Sequence, residues 1–280
     1  MLLGKGRCHA KWLLEMEMRA WFAAISTVLP CHCGGLTRMI TLPWGGLMTS
    51  QSFIQELDAR IAKYDLLCHP FYQAWSAGEL TREDLRAYAL DYYEHVQAFP
   101  SYLAAFALRL NDGELRGVVL SNMRDEQGGE DASGEAGEAH SDIFLDFANG
   151  LGDVPARFGY KPAPAVKRLV THFFEVAEKG SPEEALAAFY AYESQVPRVA
   201  KEKDRGLRER YGADERTTRY FTLHTTADMY HVNAWKEQLG KRVEASPETA
   251  RKALDAAESA AKALWVALDG IEERRMAKAA

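Results

Sequence analysis

From Ser50 onward apolar residues recur three and four positions apart, and strand-like alternation never persists, which predicts helix after helix. Phe53, Leu57, Ile61 and Tyr64 make the first stripe. Thr81 with Asp84 forms a capping-box start for a helix through Tyr88, Tyr92 and Val96, which Pro100 is expected to interrupt. Ser181-Pro182-Glu183-Glu184 and Ser246-Pro247-Glu248 each supply an N-cap, a proline at the first helical position and early acids. Further helices are expected over 114–126, 140–150, 164–178, 183–195, 198–211, 216–240 and 247–268. The Gly- and Glu-rich stretch from Gln127 to Ala139 has no apolar anchor and reads as a mobile acidic loop. The expected object is a single all-α bundle over 48–270 with a charged tail at 271–280.

Composition narrows what such a bundle does. At 280 residues the chain can bury a core without a metal or disulfide to hold it, so any metal is expected to be functional. The net charge is −6, with bases interleaved among acids (Lys201, Glu202, Lys203, Asp204, Arg205), which excludes a nucleic-acid footprint. No apolar run reaches the ~18 residues that cross a bilayer, so no membrane partner is expected. Four cysteines (Cys8, Cys31, Cys33, Cys68) suit a reducing cytoplasm. Residues 1–47 lack sustained periodicity and read as a leader ahead of a natural start at Met48. Their Cys31-His32-Cys33 resembles half a zinc site, but no second pair follows. A homodimer is the default for a bundle with packing surfaces.

The candidate chemistry begins with His224, Asp228 and His231, at i, i+4 and i+7, within about 60° of one another on one helix face. Leu223, Ala227 and Trp235 on that face are apolar, so the trio is carried toward the core, where a divalent metal would satisfy all three. A solvent-facing patch, or a core Asp bonded to two histidines, is the alternative. Glu193 shares a face with Leu186, Tyr190 and Pro197; it is either a ligand or an acid beside a proline kink. Glu126 ends one helix and His140 starts the next, each singly consistent with a surface or capping role. Together the six make a candidate dimetal set of oxygen and imidazole donors, which suits iron or manganese.

Several ordered motifs then carry a resemblance. His69-Pro-Phe-Tyr-Gln-Ala-Trp75, Leu85-Arg-Ala-Tyr-Ala89, Asp91-Tyr-Tyr-Glu-His95, Ala98-Phe-Pro100, Asp125-Glu126, Tyr192-Glu-Ser-Gln-Val-Pro197, Arg198-Val-Ala-Lys-Glu-Lys203 and the His224, Asp228, His231 spacing resemble the family named for the Chlamydia protein associating with death domains. The similarity runs from about Ser50 to about Trp265. It implies a fold like that of haem oxygenases, TenA-like thiaminases and pyrroloquinoline-quinone synthase. It further implies a non-haem oxygenase holding two divalent ions (Fe/Fe or Mn/Fe), taking O2 as co-substrate and electrons from an external reductant. Such an enzyme makes 4-aminobenzoate for folate by consuming one of its own tyrosines. By motif position Tyr72 matches the sacrificed tyrosine, Lys203 the lysine that supplies nitrogen, and Glu126, His140, Glu193, His224, Asp228 and His231 the metal set.

The Glu126-to-His140 spacing exceeds the family pattern, so His140 is assigned from the following Ser-Asp-Ile-Phe and Gly-Leu-Gly, and Glu130, Glu135 and Glu138 are rival ligands. Without the resemblance, Tyr72 reads as core packing beside Phe71 and Trp75, and Lys203 as part of a solvated charged face. His95 reads as a structural residue or outer partner of the site, His69 as a helix-entry residue, and Tyr92, Tyr93, Tyr190 and Tyr192 as core or as a radical relay. Three rival functions remain at this point: oxidation of an external small molecule, a protein-binding adaptor, and a metal-free oxidase of the quinone-synthase kind.

Overall fold

The computed structural model describes residues 49–129, 137–152, 160–244 and 246–279. The leader 1–47, with Cys31, His32 and Cys33, and the rivals Glu130 and Glu135 lie outside them. Every regular element among the described residues is helical. In chain order these are α1 (Ser50–Ala62), α2 (Pro70–Ala77), α3 (Arg82–Arg109), α4 (Glu114–Glu126), α5 (His140–Gly150), α6 (Pro164–Lys179), α7 (Pro182–Glu193), α8 (Val196–Tyr211), α9 (Glu215–His224), α10 (Ala227–Val243) and α11 (Pro247–Ala279), with a 3-10 turn at Leu66–Cys68.

The sequence signals account for the starts. Thr49, Thr81 and Ser181 each close a capping box, with Ser52, Asp84 and Glu184 respectively. His69 caps α2 through Nδ1, which accepts from the Phe71 N–H, the helix-entry role its position predicts. The central element is α7, whose Ala185, Leu186, Ala187, Ala188, Phe189, Tyr190 and Ala191 are all buried. Its longest neighbour is α11, which presents Ala253, Ala257, Ala260 and Ala261. Small side chains on both helices let the axes approach closely and exclude water along the seam. The 247–268 helix extends through the expected charged tail to Ala279.

Two expectations are corrected. Pro100 does not interrupt its helix: α3 runs through it to Arg109. The missing N–H and ring clash cost roughly 3 kcal/mol in an isolated helix, but buried Val96, Phe99, Tyr102 and Leu103 flank the proline and α3 packs on α4, α5 and α6. The helix expected over 216–240 is broken at Thr225–Thr226 into α9 and α10. Both hydroxyls donate back, Thr225 to the Thr222 carbonyl and Thr226 to that of Leu223, and the backbone follows with tightened i to i−3 bonds.

Gly206 lets α8 cross α2. A Cβ there would sit 2.8 Å from Trp75 Cδ1, and the Trp75 indole N–H donates to the Lys203 carbonyl at 3.3 Å. Gly206→Ala is therefore expected to push Trp75 out of place. An overpacking cost of about 1–3 kcal/mol should lower the melting temperature by several degrees, read by thermal denaturation.

Candidate metal centre

Helix ends build the site. Glu126 is the last residue of α4, His140 the first of α5, Glu193 the last of α7 and His224 the last of α9; Asp228 and His231 lie in the first turns of α10. All six are buried, and all six converge. Their donor atoms fall in two groups, Glu126 with His140 and His224, and Glu126 with Glu193, Asp228 and His231, each within 4.8 Å of one another. The Thr225–Thr226 break matters here, because it separates His224 from Asp228 and His231 and delivers them to different groups. Glu126 belongs to both.

Outer contacts fix the donors. His224 Nδ1 lies 2.7 Å from the Tyr220 carbonyl, which leaves Nε2 for a ligand. His231 Nε2 bonds Asp125 at 3.2 Å, so its Nδ1 faces inward, 3.5 Å from Glu193 and 3.8 Å from Asp228. Glu193 is held at both oxygens, by the Asn122 amide at 2.9 Å and by the Trp235 indole N–H. The sequence placed Trp235 on that face only as an apolar neighbour and did not single out Asn122, although helical spacing carries both: Asn122 stands four residues before Glu126, and Trp235 four after His231.

The donor set fits metal ions on physical grounds. His140 Nδ1, Asp228 Oδ2 and His231 Nδ1 are buried without a hydrogen-bond partner. His140 Nδ1 is 3.0 Å from Glu126 Oε2, close enough for an ion pair but without hydrogen-bond geometry. Each such orphan costs about 1–3 kcal/mol unless something binds it. The charges point the same way. Burial lowers the His231 pKa, yet the neighbouring carboxylates of Asp228, Glu193 and Asp125 outweigh it and lift it to about 11. Burial pushes Glu193 up. For Glu126 burial is outweighed by the neighbouring histidines and the pKa falls, while Glu126 in turn raises His140 against its own burial. Ions entering here must displace protons, so their affinity weakens as pH is lowered.

Beside the cluster lies a cavity of about 10 Å3 lined by Val96, Phe99, Tyr192 and Tyr220 with four of the candidate ligands. Tyr192 and Tyr220 also wall a second cavity, of about 30 Å3, onto which Tyr72 and Lys203 open. The cavity beside the cluster and the one beside the Tyr72–Lys203 pair thus share a wall formed by these two phenols. Lys203 is only 6% exposed, and its Nζ stands 4.4 Å from the centroid of the Tyr72 ring. Burial holds its pKa well below the usual lysine value. The solvated-face alternative for Lys203 and the surface role for Glu126 are both excluded by this burial.

The rival Glu138 pairs with Arg219 at the surface, away from both groups. His95 is buried among Tyr92, Phe99, Tyr102, Phe173 and Tyr192, and burial lowers its pKa to about 3. Tyr190 donates to Asp58 and so ties α7 to α1.

Residues 86–265 match the model of a family described as iron-containing redox enzyme. The chain belongs to the iron-containing redox enzymes. Within that family it is 38% identical over 226 residues to the 4-aminobenzoate synthase of Chlamydia muridarum, covering 80% of this chain and 92% of that protein. It is 37% identical over 237 residues to the 4-aminobenzoate synthase of Nitrosomonas europaea, covering 81% and 93%. A solved domain with a haem oxygenase-like fold from Shewanella denitrificans superposes with a TM-score of 0.68 at 16% identity, over 82% of this chain and 94% of that one. The bundle is thus haem oxygenase-like, and the chain is an oxidoreductase of the iron-containing redox family. Among the described residues, no helix is long and apolar enough to cross a membrane.

Proposed function

We propose that this chain makes 4-aminobenzoate from its own Tyr72, with nitrogen from Lys203. The observation that carries this reading is the Lys203 amine, buried and poised over the face of the Tyr72 ring. Converting a tyrosine side chain to 4-aminobenzoate means breaking Cα–Cβ, oxidising Cβ to a carboxylate and replacing the hydroxyl by an amino group. Two iron or manganese ions held by Glu126, His140, Glu193, His224, Asp228 and His231 would supply the activation of O2 that such an oxidation needs, with electrons from an external reductant.

The chain's own residues do the rest. Burial lowers the Lys203 pKa well below its usual value and so favours the neutral amine, which is a nucleophile where an ammonium is not. Tethering replaces a binding step, since ring and nitrogen are held in contact by the fold. Cavities of about 10 and 30 Å3 admit dioxygen or a water, whereas pockets for organic ligands run to roughly 300 Å3 or more. Among the described residues, neither of these two cavities has room for an external aromatic substrate. A metal-free oxidase or an adaptor leaves six buried ligand groups without a purpose.

The reading is tested by product yield against chain concentration, with O2 and reductant in excess. Product is expected to plateau at no more than one molecule per chain. Steady accumulation beyond that, with Tyr72 intact, selects an external substrate instead.

A further inference from the structure

A second phenol is built into the pair. Tyr88, on α3, lies 2.9 Å oxygen to oxygen from Tyr72 and accepts from Lys203 Nζ at 2.5 Å, so its hydroxyl sits between the other two functional groups. Its ring is clamped between Phe71 (centroids 5.3 Å apart, 25° between planes) and Tyr92 (5.3 Å, 18°), with Trp75 edge-on at 87°. A side chain held on three sides presents its hydroxyl in one direction.

Resting on the reading above, we propose that Tyr88 is the proton link between the Tyr72 phenol and the Lys203 amine, and is itself conserved through the reaction while Tyr72 is consumed. Two geometric facts separate the roles of the two tyrosines. Tyr72 opens onto the cavity that shares its wall with the cluster, and Tyr88 does not line it. Lys203 Nζ stands over the π face of Tyr72, the side from which nitrogen can bond to a ring carbon. The hydroxyl proton of a phenol lies near the ring plane, away from that face. A direct transfer from Tyr72 to Lys203 is therefore poorly aligned, and the two hydrogen bonds through Tyr88 supply the alternative.

Tyr72 gives one electron to the oxidant derived from O2. Its O–H bond breaks and the proton passes to the Tyr88 oxygen, while the Tyr88 hydroxyl, turned from accepting to donating toward the neutral amine, gives the proton it already carried to the Lys203 lone pair. Tyr72 is left a neutral phenoxyl, Tyr88 is unchanged and Lys203 becomes an ammonium, which passes a proton on to a water in the cavity it lines before its lone pair can bond a ring carbon. Burial raises both phenols well above their usual range and lowers the amine, which favours the neutral form of all three groups before that electron leaves. The link is inert until the ring is oxidised.

The test compares Tyr88→Phe, which keeps the ring and its packing, with 3-fluorotyrosine at position 88, which keeps the hydroxyl. Metal content and single-turnover loss of Tyr72 are measured in both. With metal content unchanged, Phe is expected to slow Tyr72 loss by about 10²–10⁴-fold, the range of a lost proton-transfer partner, and fluorotyrosine to recover most of that loss. In metal-free protein with 13C-labelled tyrosine rings, the Tyr72 Cζ resonance is expected to move in Tyr88→Phe. Equal rates in wild type and Tyr88→Phe, equal slowing in both variants, or an unmoved Cζ resonance overturns the link. Those results leave the self-sacrifice reading standing, whereas loss of Tyr88 in place of Tyr72 overturns both.

Discussion

Tyr72→Phe is expected to abolish 4-aminobenzoate production while the protein still binds its full complement of metal. The substitution deletes one oxygen from a buried ring and leaves the six ligand groups untouched, because Tyr72 faces the second cavity and not the cluster. The Tyr88 hydroxyl loses one partner but keeps its bond to Lys203. A neutral hydrogen bond of this kind contributes about 1 kcal/mol, or a few degrees of melting temperature. Product, metal stoichiometry and melting curve measured on one preparation separate the cases. Undiminished product from the Phe variant refutes consumption of Tyr72.

The second large effect is expected at Glu126. It is the only residue common to both donor groups, so Glu126→Ala should empty the centre of both ions, from about two per chain to near none. Even partners outside the ligand set typically cost 10–100-fold in metal affinity, and a shared ligand should cost more. His140→Ala, which touches one group only, should leave about one ion. Elemental analysis of protein reconstituted with iron and manganese reads both variants. Two ions retained in Glu126→Ala would show that the ions sit elsewhere.

The helical periodicity that made this bundle legible in the sequence also set its limits. The capping box at Thr81 and the N-cap with its proline at Ser181 marked true helix starts, because a capping residue acts on its own turn. Pro100 misled, since whether a proline breaks a helix depends on the packing around it, which no local pattern records. The Thr225–Thr226 break was hidden for the opposite reason. Two β-branched residues in an amphipathic run are common, and only their hydroxyl bonds to Thr222 and Leu223 turn the chain.

The candidate ligands showed the same division. His224, Asp228 and His231 drew notice through a shared helix face, although the structure serves them to two groups from two helices. Glu126 and His140 sit at helix termini, where an acid or a histidine has an ordinary capping role, so spacing said little about them. Lys203 carried a signal that the surrounding charges masked. Val199, Ala200, Gly206 and Leu207, at −4, −3, +3 and +4, are all buried, so Lys203 lies on the inner face of α8 while Lys201 points outward. Asn122, Trp235 and Tyr88 act through contacts between helices, and those exist only once the bundle closes.

Isotopic origin of the product is the most direct test of self-sacrifice. The protein is produced with tyrosine carrying 13C at all six ring positions, then reacted with unlabelled O2, reductant and metal, and the product is weighed by mass spectrometry beside the peptide containing Tyr72. Consumption of the chain's own tyrosine predicts 4-aminobenzoate six mass units heavy, in an amount equal to the Tyr72 side chains lost. Unlabelled product, or labelled product with the Tyr72 peptide intact, would contradict it.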